Sequence, residues 1–281
     1  MVRSMTSEVM VAAAPRAYAR SMISTATSPS VGEELRRWRE LRSLSQLALA
    51  TQAEVSTRHV SYVENGRSRP TPEMIIRLAD VMQVPMAEQN RLLLAGGFAP
   101  RYPHRSTDDE ALAPVMAGLR SLLDAHAPYP ALLLDDHWDV VDANEPVDAL
   151  LAGCDPALLE PPLNVIRLCL HPRGLAPRIR NLPTWRAHLL HQLEQRIART
   201  GGHPALVSLR EDVVGHPADG DPSTHPRVDP VIPLEIEAGG QVLRLFSVAS
   251  QIESASDVTL RGLHLETFVP ADEQTRQLLS R

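Results

Sequence analysis

Apolar residues recur every three to four positions between residues 30 and 97, and this spacing predicts amphipathic helices. Ser30 and Glu33 have the spacing of a capping box, so a first helix is expected to begin directly after Ser30. Its apolar positions are Val31, Leu35, Trp38 and Leu41. The opposite face of this helix is basic, which predicts that it is exposed to solvent.

Four more helices are predicted in the same stretch. Ser45 can cap a short second helix, Ser56 can cap a third, and Thr71 can cap a fourth with proline at its first position. A fifth fills the stretch before the pair Gly96-Gly97. The residues predicted to be buried are Leu47 and Ala50 on the second helix, Val60 and Val63 on the third, and Ile75, Leu78, Ala79 and Met82 on the fourth. Residues 30–97 are thus predicted to form an all-α five-helix domain with a helix-turn-helix.

The segments on either side of this domain have a different composition. Residues 1–29 are rich in small side chains and lack the apolar core of a secretory signal, so we interpret them as an N-terminal extension. Residues 98–109, with several prolines, are predicted to be a linker. A helix over 108–123 with an acidic first turn follows.

The remainder, 110–281, is predicted to be an α+β domain. Residues 129–144 have the pattern of a β-hairpin, and Pro183 starts a helix with apolar residues four apart. A proline- and glycine-rich loop is expected at 216–230. Three strands are predicted after it, at 231–237, 241–249 and 258–269. The order of these elements is that of a PAS-like antiparallel sheet with helices inserted between its second and third strands, but periodicity alone does not establish that fold, which depends on the family resemblance given below.

Charge is divided unevenly along the chain, whose net charge is −6. Residues 31–105 hold eleven Arg against eight acidic residues, whereas 106–281 hold 14 Arg against 25 acidic residues. A nucleic-acid-binding surface is therefore expected only in the first domain. Two cysteines in a chain of this length suggest no disulfide scaffold, which favours a cytoplasmic location.

The predicted third helix has the side chains that reading of DNA bases requires. A helix-turn-helix lays its second helix in the major groove, with short polar residues at its start and phosphate donors around it. The candidates on that helix are Ser56, Thr57, Arg58, His59, Ser61 and Tyr62. Arg58 is the best candidate for reading guanine, because its guanidinium matches O6 and N7. The residues expected to contact phosphates are Gln46, Asn65, Arg67 and Arg69.

Residues 44–70 (LSQLALATQAEVSTRHVSYVENGRSRP) resemble the Xre or phage-repressor type of helix-turn-helix domain, above all in Val55-Ser56 and in 64–67. The resemblance implies that the partner is double-stranded DNA and that the protein is a sequence-specific transcription regulator. Glu54 is a departure, because the family often has glycine in the turn; a left-handed residue there costs on the order of 1 kcal/mol. A protein-binding or degenerate relative is the alternative.

The second domain resembles the ligand-binding domain of MmyB-like regulators, which has a PAS-like fold. Four patches carry the likeness: 130–144 (PALLLDDHWDVVDAN), 164–172, 185–190 and 263–268. The resemblance implies a lipophilic pocket for a fatty-acid-like molecule.

Residues of both required kinds are present for such a pocket. Asn164 and Arg167 lie one helical turn apart and could offer donors to a carboxylate. The apolar residues available to wall the pocket are Leu132, Leu134, Trp138, Val140, Ile166, Trp185, Leu189, Leu263, Leu265 and Phe268. The alternatives are that these residues form ordinary core and that Arg167 pairs with an acid such as Asp142.

Three functions are compatible with these patterns. The first is a regulator that senses a small lipophilic ligand and binds DNA as a homodimer. The second is a regulator whose PAS-like domain only dimerises. The third is an enzyme, which the sequence disfavours because it has no nucleophile elbow, phosphate-binding glycine loop or metal-spaced cluster. No catalytic residue, metal, cofactor other than a bound lipophilic molecule, or membrane partner is therefore expected.

Overall fold

A computed structural model of the chain describes residues 29–215 and 231–280. The predicted loop 216–230 and, except for residue 29, the predicted extension lie outside the described residues. The first domain has the predicted five helices, which are α1 (Val31–Leu41), α2 (Gln46–Gln52), α3 (Thr57–Glu64), α4 (Pro72–Val81) and α5 (Met86–Ala95).

The predicted helix caps are present. The Ser30 hydroxyl accepts from the backbone N–H of Glu33, whose carboxylate accepts from the N–H of Ser30, and this completes the capping box of α1. The hydroxyls of Ser45, Ser56 and Thr71 cap α2, α3 and α4 in the same way. Each cap satisfies an amide that a helix leaves unpaired in its first turn, so local sequence fixes where these helices begin.

The first domain packs around Trp38, whose side chain is fully buried. The other large core residues are Leu35, Leu49, Ile75, Leu78, Met82, Leu92 and Leu93. The prediction that Leu47 is buried was wrong, since it is 64% exposed. Leu49 and Ala50 set the inward direction of α2, and Leu47 lies on another side of the helix.

The second domain contains seven α-helices and five strands among its described residues. The helices are α6 (Ala113–Ala125), α7 (Pro146–Leu151), α8 (Val165–Leu170), α9 (Leu182–Arg199), α10 (Pro204–Val214), α11 (Val258–Gly262) and α12 (Glu273–Leu279). The strands are β1 (Ala131–Leu134), β2 (Val140–Ala143), β3 (Leu234–Ala238), β4 (Gln241–Gln251) and β5 (His264–Pro270). Within these residues no helix is long and apolar enough to cross a bilayer.

The strands form one antiparallel sheet in the order β2-β1-β5-β4-β3. The hairpin and the β3-β4-β5 meander are as predicted, and β5 joins them by pairing Leu132 with Glu266 and Leu134 with His264. Helices α7 to α10 lie between β2 and β3 along the chain. The fold is therefore α+β, with the last strand at the centre of the sheet.

Two predicted boundaries were wrong. The predicted strand 258–269 begins as a short helix, α11, because the carboxylate of Asp257 caps it by accepting from the N–H of Thr259. The helix predicted over 108–123 begins only at Ala113. Its acidic residues form a preceding turn, in which the Asp109 carboxylate accepts from the N–H of Ala111.

The sheet separates two apolar clusters. On the inner face, Leu132 and Leu134 face the large core beneath α7 to α10. On the outer face, Ala131 and Leu133 pack against Leu123 of α6. Since strand side chains alternate, β1 contributes to both clusters, which explains its uninterrupted apolar sequence.

The two domains meet where α9 ends. Gly201 has a left-handed backbone (φ 68°) and lies against the Trp38 ring; a Cβ atom there would come within 2.8 Å of the indole. Arg37 donates to the Gly201 carbonyl, and Arg42 donates to the carbonyls of Ala198 and Arg199. A second contact joins Arg105 to Asp257 at 2.8 Å. Unpaired carbonyls at a helix C-terminus favour cations, so this junction is electrostatically matched.

Candidate DNA-binding and ligand-binding sites

The helix-turn-helix is formed by α2, a tight turn and α3. Glu54 occupies the turn with φ 56°, which confirms the left-handed conformation expected there. Val55 closes the turn by donating to the Ala50 carbonyl at 2.9 Å. The α3 helix then presents one face inward through Val60 and Val63, which are both 1% exposed.

The structure places the candidates Ser56, Thr57, Arg58, His59, Ser61 and Tyr62 at the start and along the outer face of α3. Arg58 is exposed, and its Nε donates to the Tyr62 hydroxyl at 2.9 Å. Its guanidinium also lies 5.1 Å from the centre of the Tyr62 ring. Tyr62 therefore holds Arg58 along the helix, a position from which it could reach a base edge.

A buried polar cluster supports α3 from behind. Arg39 of α1 makes a two-pronged ion pair with Glu64, with Nε–Oε1 and Nη2–Oε2 distances of 2.6 and 3.0 Å. Gln46 donates to the same carboxylate at 2.8 Å, and Arg39 also donates to the Leu44 carbonyl. The Glu64 hydrogen bonds raise the pKa of Arg39. This Arg39–Glu64–Gln46 cluster ties α1, α2 and α3 together.

The cluster bears on the Gln46 prediction. The amide nitrogen of Gln46 donates to Glu64. Contact between Gln46, at the start of α2, and a DNA phosphate stays a prediction. Sequence reasoning missed Arg39 and Glu64, although charged residues at positions of helical core spacing could have drawn attention to them.

The loop after α3 holds the other phosphate candidates. The Asn65 amide donates to the Ser61 carbonyl, and Arg69 donates to the Gly96 carbonyl and covers the Phe98 ring. Arg67 is exposed. Asn65 and Arg69 thus have structural contacts of their own, and Arg67 is the loop cation best placed for phosphate.

The second domain contains an enclosed apolar cavity of about 50 Å³ between the inner face of the sheet and the helices. Of the predicted wall residues, the cavity is lined by Leu132, Trp138, Ile166, Trp185, Leu189 and Phe268. The other predicted wall residues, Leu134, Val140, Leu263 and Leu265, do not line it. Leu265 belongs to the outer cluster, since residues one apart on β5 face opposite sides.

The two predicted carboxylate anchors do not line this cavity. Asn164 is buried and caps α8, while its amide donates to the Asp139 carboxylate and the His137 carbonyl. Arg167 is half-exposed and makes an ion pair with Asp212 at 2.7 Å. The pairing alternative considered for Arg167 therefore holds, with Asp212 in place of Asp142.

Polar groups in the cavity wall come from residues that the sequence did not single out. Glu266 of β5 and Gln192 of α9 both line the cavity. Burial raises the pKa of Glu266, against the weaker opposing effects of the Ser247 hydroxyl and the Arg196 cation. An acid between His264 and Phe268 on an inward strand face was the available signal for Glu266.

The third polar group is the indole N–H of Trp185, which is buried without a hydrogen-bond partner. It lies beside the Cys169 thiol, a weak acceptor that also lines the cavity, but the contact lacks hydrogen-bond geometry. Burial raises the pKa of Cys169 to about 12, so its sulfur is an uncharged thiol. The cavity therefore has an unsatisfied donor in an apolar wall.

Behind the cavity, Arg196 of α9 stacks on Trp138 at 3.8 Å from the ring centre. Its guanidinium donates to the Asp136 carbonyl at 3.1 Å. His264 meets Trp138 edge-on and has an unpaired Nδ1, and burial lowers its pKa to about 4. No group of three or more metal-binding side chains occurs among the described residues.

Comparison with known families matches both halves of the chain. Residues 35–89 match a helix-turn-helix family, and residues 115–281 match the family described as the MmyB-like transcription regulator ligand binding domain. The second match spans more than half of the chain, so it determines family membership.

A characterised relative supports the assignment of the first half. The chain is 44% identical over 120 residues to the HTH-type transcriptional repressor RghR of Bacillus subtilis, which covers 41% of this chain and 82% of that protein. A solved structure of an RNA-binding Light-Oxygen-Voltage receptor aligns with 96% of this chain and 69% of its own, at 15% identity. Its TM-score is 0.25, too low to support an argument.

Proposed function

The chain belongs to the family of MmyB-like transcription regulators, and from that premise we propose that a small lipophilic ligand in its cavity controls how its helix-turn-helix domain binds DNA. The chain is a DNA-binding transcription regulator with a ligand-binding domain. What the proposal adds is the kind of ligand, the route of control and the assembly.

One observation carries the route of control: α9 contacts both the cavity and the DNA-binding domain. Its residues Trp185, Leu189 and Gln192 line the cavity, and the carbonyls at its other end accept hydrogen bonds from the DNA-binding domain. A ligand that shifts α9 therefore moves the carbonyls that hold α1. Such a ligand biases DNA binding only by the difference in its affinity for the two positions of α9.

Cavity size supports a ligand-dependent movement. At about 50 Å³ the cavity is far smaller than the ~300–1,000 Å³ typical of ligand sites. A fatty-acid-like molecule, the ligand suggested by family resemblance, fits only if α9 or its neighbours move outward. Ligand binding and displacement of α9 would then be the same event.

The assembly proposed is a cytoplasmic homodimer on paired half-sites, as is usual for this class of DNA-binding domain. Leu122 of α6 is 56% exposed and Val248 on the outer face of the sheet is 45% exposed, so the second domain has apolar surface for self-association. Light scattering with and without a two-half-site duplex tests this part alone.

The route of control is tested by DNA affinity with and without ligand. A duplex selected from a random library is titrated with full-length protein by fluorescence anisotropy, before and after removal of copurified lipid identified by mass spectrometry. We expect medium-chain fatty acids or the extracted lipid to change affinity by about fivefold or more, a coupling of ~1 kcal/mol.

The variant Arg37→Ala removes the hydrogen bond to Gly201 and should reduce this response. Arg36→Ala is the matched control, because Arg36 lies on the same helix and pairs only with the exposed Glu40. Equal changes of DNA affinity in both variants and the wild type would contradict the proposed route. If neither copurified lipid nor added fatty acid changes DNA affinity, the function in which the PAS-like domain only dimerises would remain.

A further inference from the structure

The polar groups of the cavity wall define what a ligand must carry at its polar end. They are the Glu266 carboxyl, the Gln192 amide and the Trp185 N–H. The remaining wall is apolar, apart from the Cys169 thiol. A ligand that fills the cavity therefore pairs its polar atom with one of these side chains or leaves it unpaired.

Glu266 makes this end of the cavity unfavourable for an anion. It pairs in register with Leu132 and faces the helices, and no ion pair to it is formed by the described residues. Arg196, whose charge partly opposes the rise in the Glu266 pKa, is stacked on Trp138 and donates to backbone carbonyls. Burial raises the pKa of Glu266, because no cation among the lining residues offsets the loss of solvent around its carboxyl.

The Trp185 indole supplies the attraction. A buried donor without a partner destabilises the structure around it, and a ligand oxygen that accepts its hydrogen bond removes part of that destabilisation. The Cys169 thiol beside it cannot serve as a strong acceptor, because it is uncharged. The Trp185 N–H is thus an unpaired donor, and none of the side chains that line the cavity is a cation.

We propose that the cavity takes an uncharged apolar molecule with a single carbonyl or hydroxyl oxygen, which accepts from the Trp185 N–H and lies against the Glu266 carboxyl. This assignment rests on the proposed function, because it takes the cavity as the ligand site. It differs from the fatty-acid expectation in the charge of the polar end. Arg167, which was expected to hold a carboxylate, lies outside the cavity in an ion pair with Asp212.

Three probes of equal carbon number separate the possibilities: 2-heptanone, heptanoate and heptane. Binding to the full-length, delipidated protein is measured at pH 7.5 by calorimetry and by shift of the melting temperature. We expect 2-heptanone to bind at least tenfold more tightly than heptanoate. Heptanoate should bind better as the pH falls toward the pKa of its carboxylic acid, since its neutral form can accept from Trp185.

Two variants locate the polar contact. Trp185→Phe retains an aromatic ring but removes the N–H, and should weaken 2-heptanone about three- to tenfold while leaving heptane unchanged. Glu266→Gln retains hydrogen bonding without a titratable group, so 2-heptanone should keep its affinity within about twofold. Heptanoate should bind this variant more tightly than the wild type. If either variant fails to fold, the wild-type preference for ketone over carboxylate still decides the matter.

Each outcome has one meaning. Heptanoate binding as tightly as 2-heptanone at pH 7.5 overturns the neutral-ligand assignment but supports a lipophilic ligand. An equal loss of heptane and 2-heptanone in Trp185→Phe also overturns it, because the indole would then act only through shape. If none of the probes binds, the assignment and the ligand part of the proposed function both fail, whereas DNA binding is judged separately by anisotropy.

Discussion

The two domains have cores of opposite character. In the DNA-binding domain the core is filled around Trp38, and its buried ion pair between Arg39 and Glu64 is fully hydrogen-bonded. In the ligand-binding domain the core contains a cavity. The two unpaired buried side-chain nitrogens of the described residues, Trp185 Nε1 and His264 Nδ1, both belong to this domain, and Trp185 lines the cavity.

The difference shows how each domain serves its function. A DNA-binding domain must hold its recognition helix, α3, in one position, and a close-packed core with satisfied polar groups does so. A ligand-binding domain must gain free energy when it binds its ligand, and an apolar cavity with an unpaired donor in its wall provides such a gain. Substitutions in the close-packed core and in the core with the cavity should therefore have different effects on stability and binding.

The largest effect is expected from breaking the Arg39–Glu64–Gln46 cluster. Arg39→Ala leaves the Glu64 carboxylate buried and unpaired, which should destabilise the DNA-binding domain by about 3–5 kcal/mol. Hydrogen exchange resolved by peptide measures this loss over 31–95 separately from the second domain. Arg36→Ala, on the exposed face of the same helix, should cost far less, because water screens its ion pair with Glu40. Similar losses in the two variants would show that the cluster adds no special stability.

A second prediction contrasts the domains through pH. Burial lowers the pKa of His264 from its usual value of 6.5 to about 4, so between these pH values the unfolded chain binds a proton that the folded domain does not. Above pH 6.5 this difference in proton binding does not affect the free energy of unfolding. As the pH falls from 6.5 to 4, the free energy of unfolding decreases by about 3 kcal/mol.

The variant His264→Phe isolates the effect of His264 protonation on stability. It removes the titrating group, and no hydrogen bond is lost at Nδ1, which has no partner. Carboxyl groups with raised pKa values, such as Glu266, make the folded state more stable as the pH falls. They are present in both the wild type and the variant, so their effect cancels when the two pH-dependent losses are compared. Urea unfolding at pH 7 and pH 5 should show a smaller loss in the variant, and equal losses would contradict the prediction.

The next effect concerns the reading surface. Arg58→Ala should cost about 1–3 kcal/mol on a selected duplex and much less on random DNA, because a base contact is lost. Arg67→Ala should weaken binding to both duplexes and reduce the slope of affinity against salt by about one. Anisotropy at several salt concentrations measures both quantities. Identical losses on the two duplexes for both variants would refute this division of roles.

The smallest effect tests local strain in the rigid domain. Glu54→Gly should stabilise it by about 0.5–1 kcal/mol, because a left-handed residue with φ 56° no longer carries a Cβ atom. Arg77→Gly, at an exposed position of helical α4, should instead destabilise it by about 1 kcal/mol. Thermal unfolding of the two variants should therefore move in opposite directions, and a lower melting temperature for Glu54→Gly would be the contrary result.

The sequence predicted the DNA-binding domain more fully than the sensor. Helix starts were predictable because a serine or threonine hydroxyl three residues from its partner amide acts locally, as at Ser30 and Ser56. The left-handed turn at Glu54 was instead expected from the family resemblance, because the family often has glycine at this position. Burial of Leu47 was mispredicted because two turns of helix leave the inward direction undetermined until α2 packs.

The cavity could be predicted only in part, because its wall joins elements far apart in sequence. Trp185 and Phe268 were identified as wall residues, but whether Leu134 or Leu132 reaches the cavity depends on strand register and on the helices above. Arg167 was placed on the correct helix, yet its partner Asp212 comes from another helix 45 residues later. Such pairings are set by tertiary packing, which spacing along the chain does not record.

The central position of β5 has a consequence for biosynthesis. β1 acquires its partner on the inner side of the sheet only when residues 264–270 have left the ribosome, whereas the contacts of the DNA-binding domain close within the first hundred residues. Domains fold in order as the chain emerges, and long-range strand pairing is slow. The DNA-binding domain of the nascent chain therefore folds before the sheet of the ligand-binding domain can form. Premature termination would release a folded DNA-binding domain without a folded ligand-binding domain.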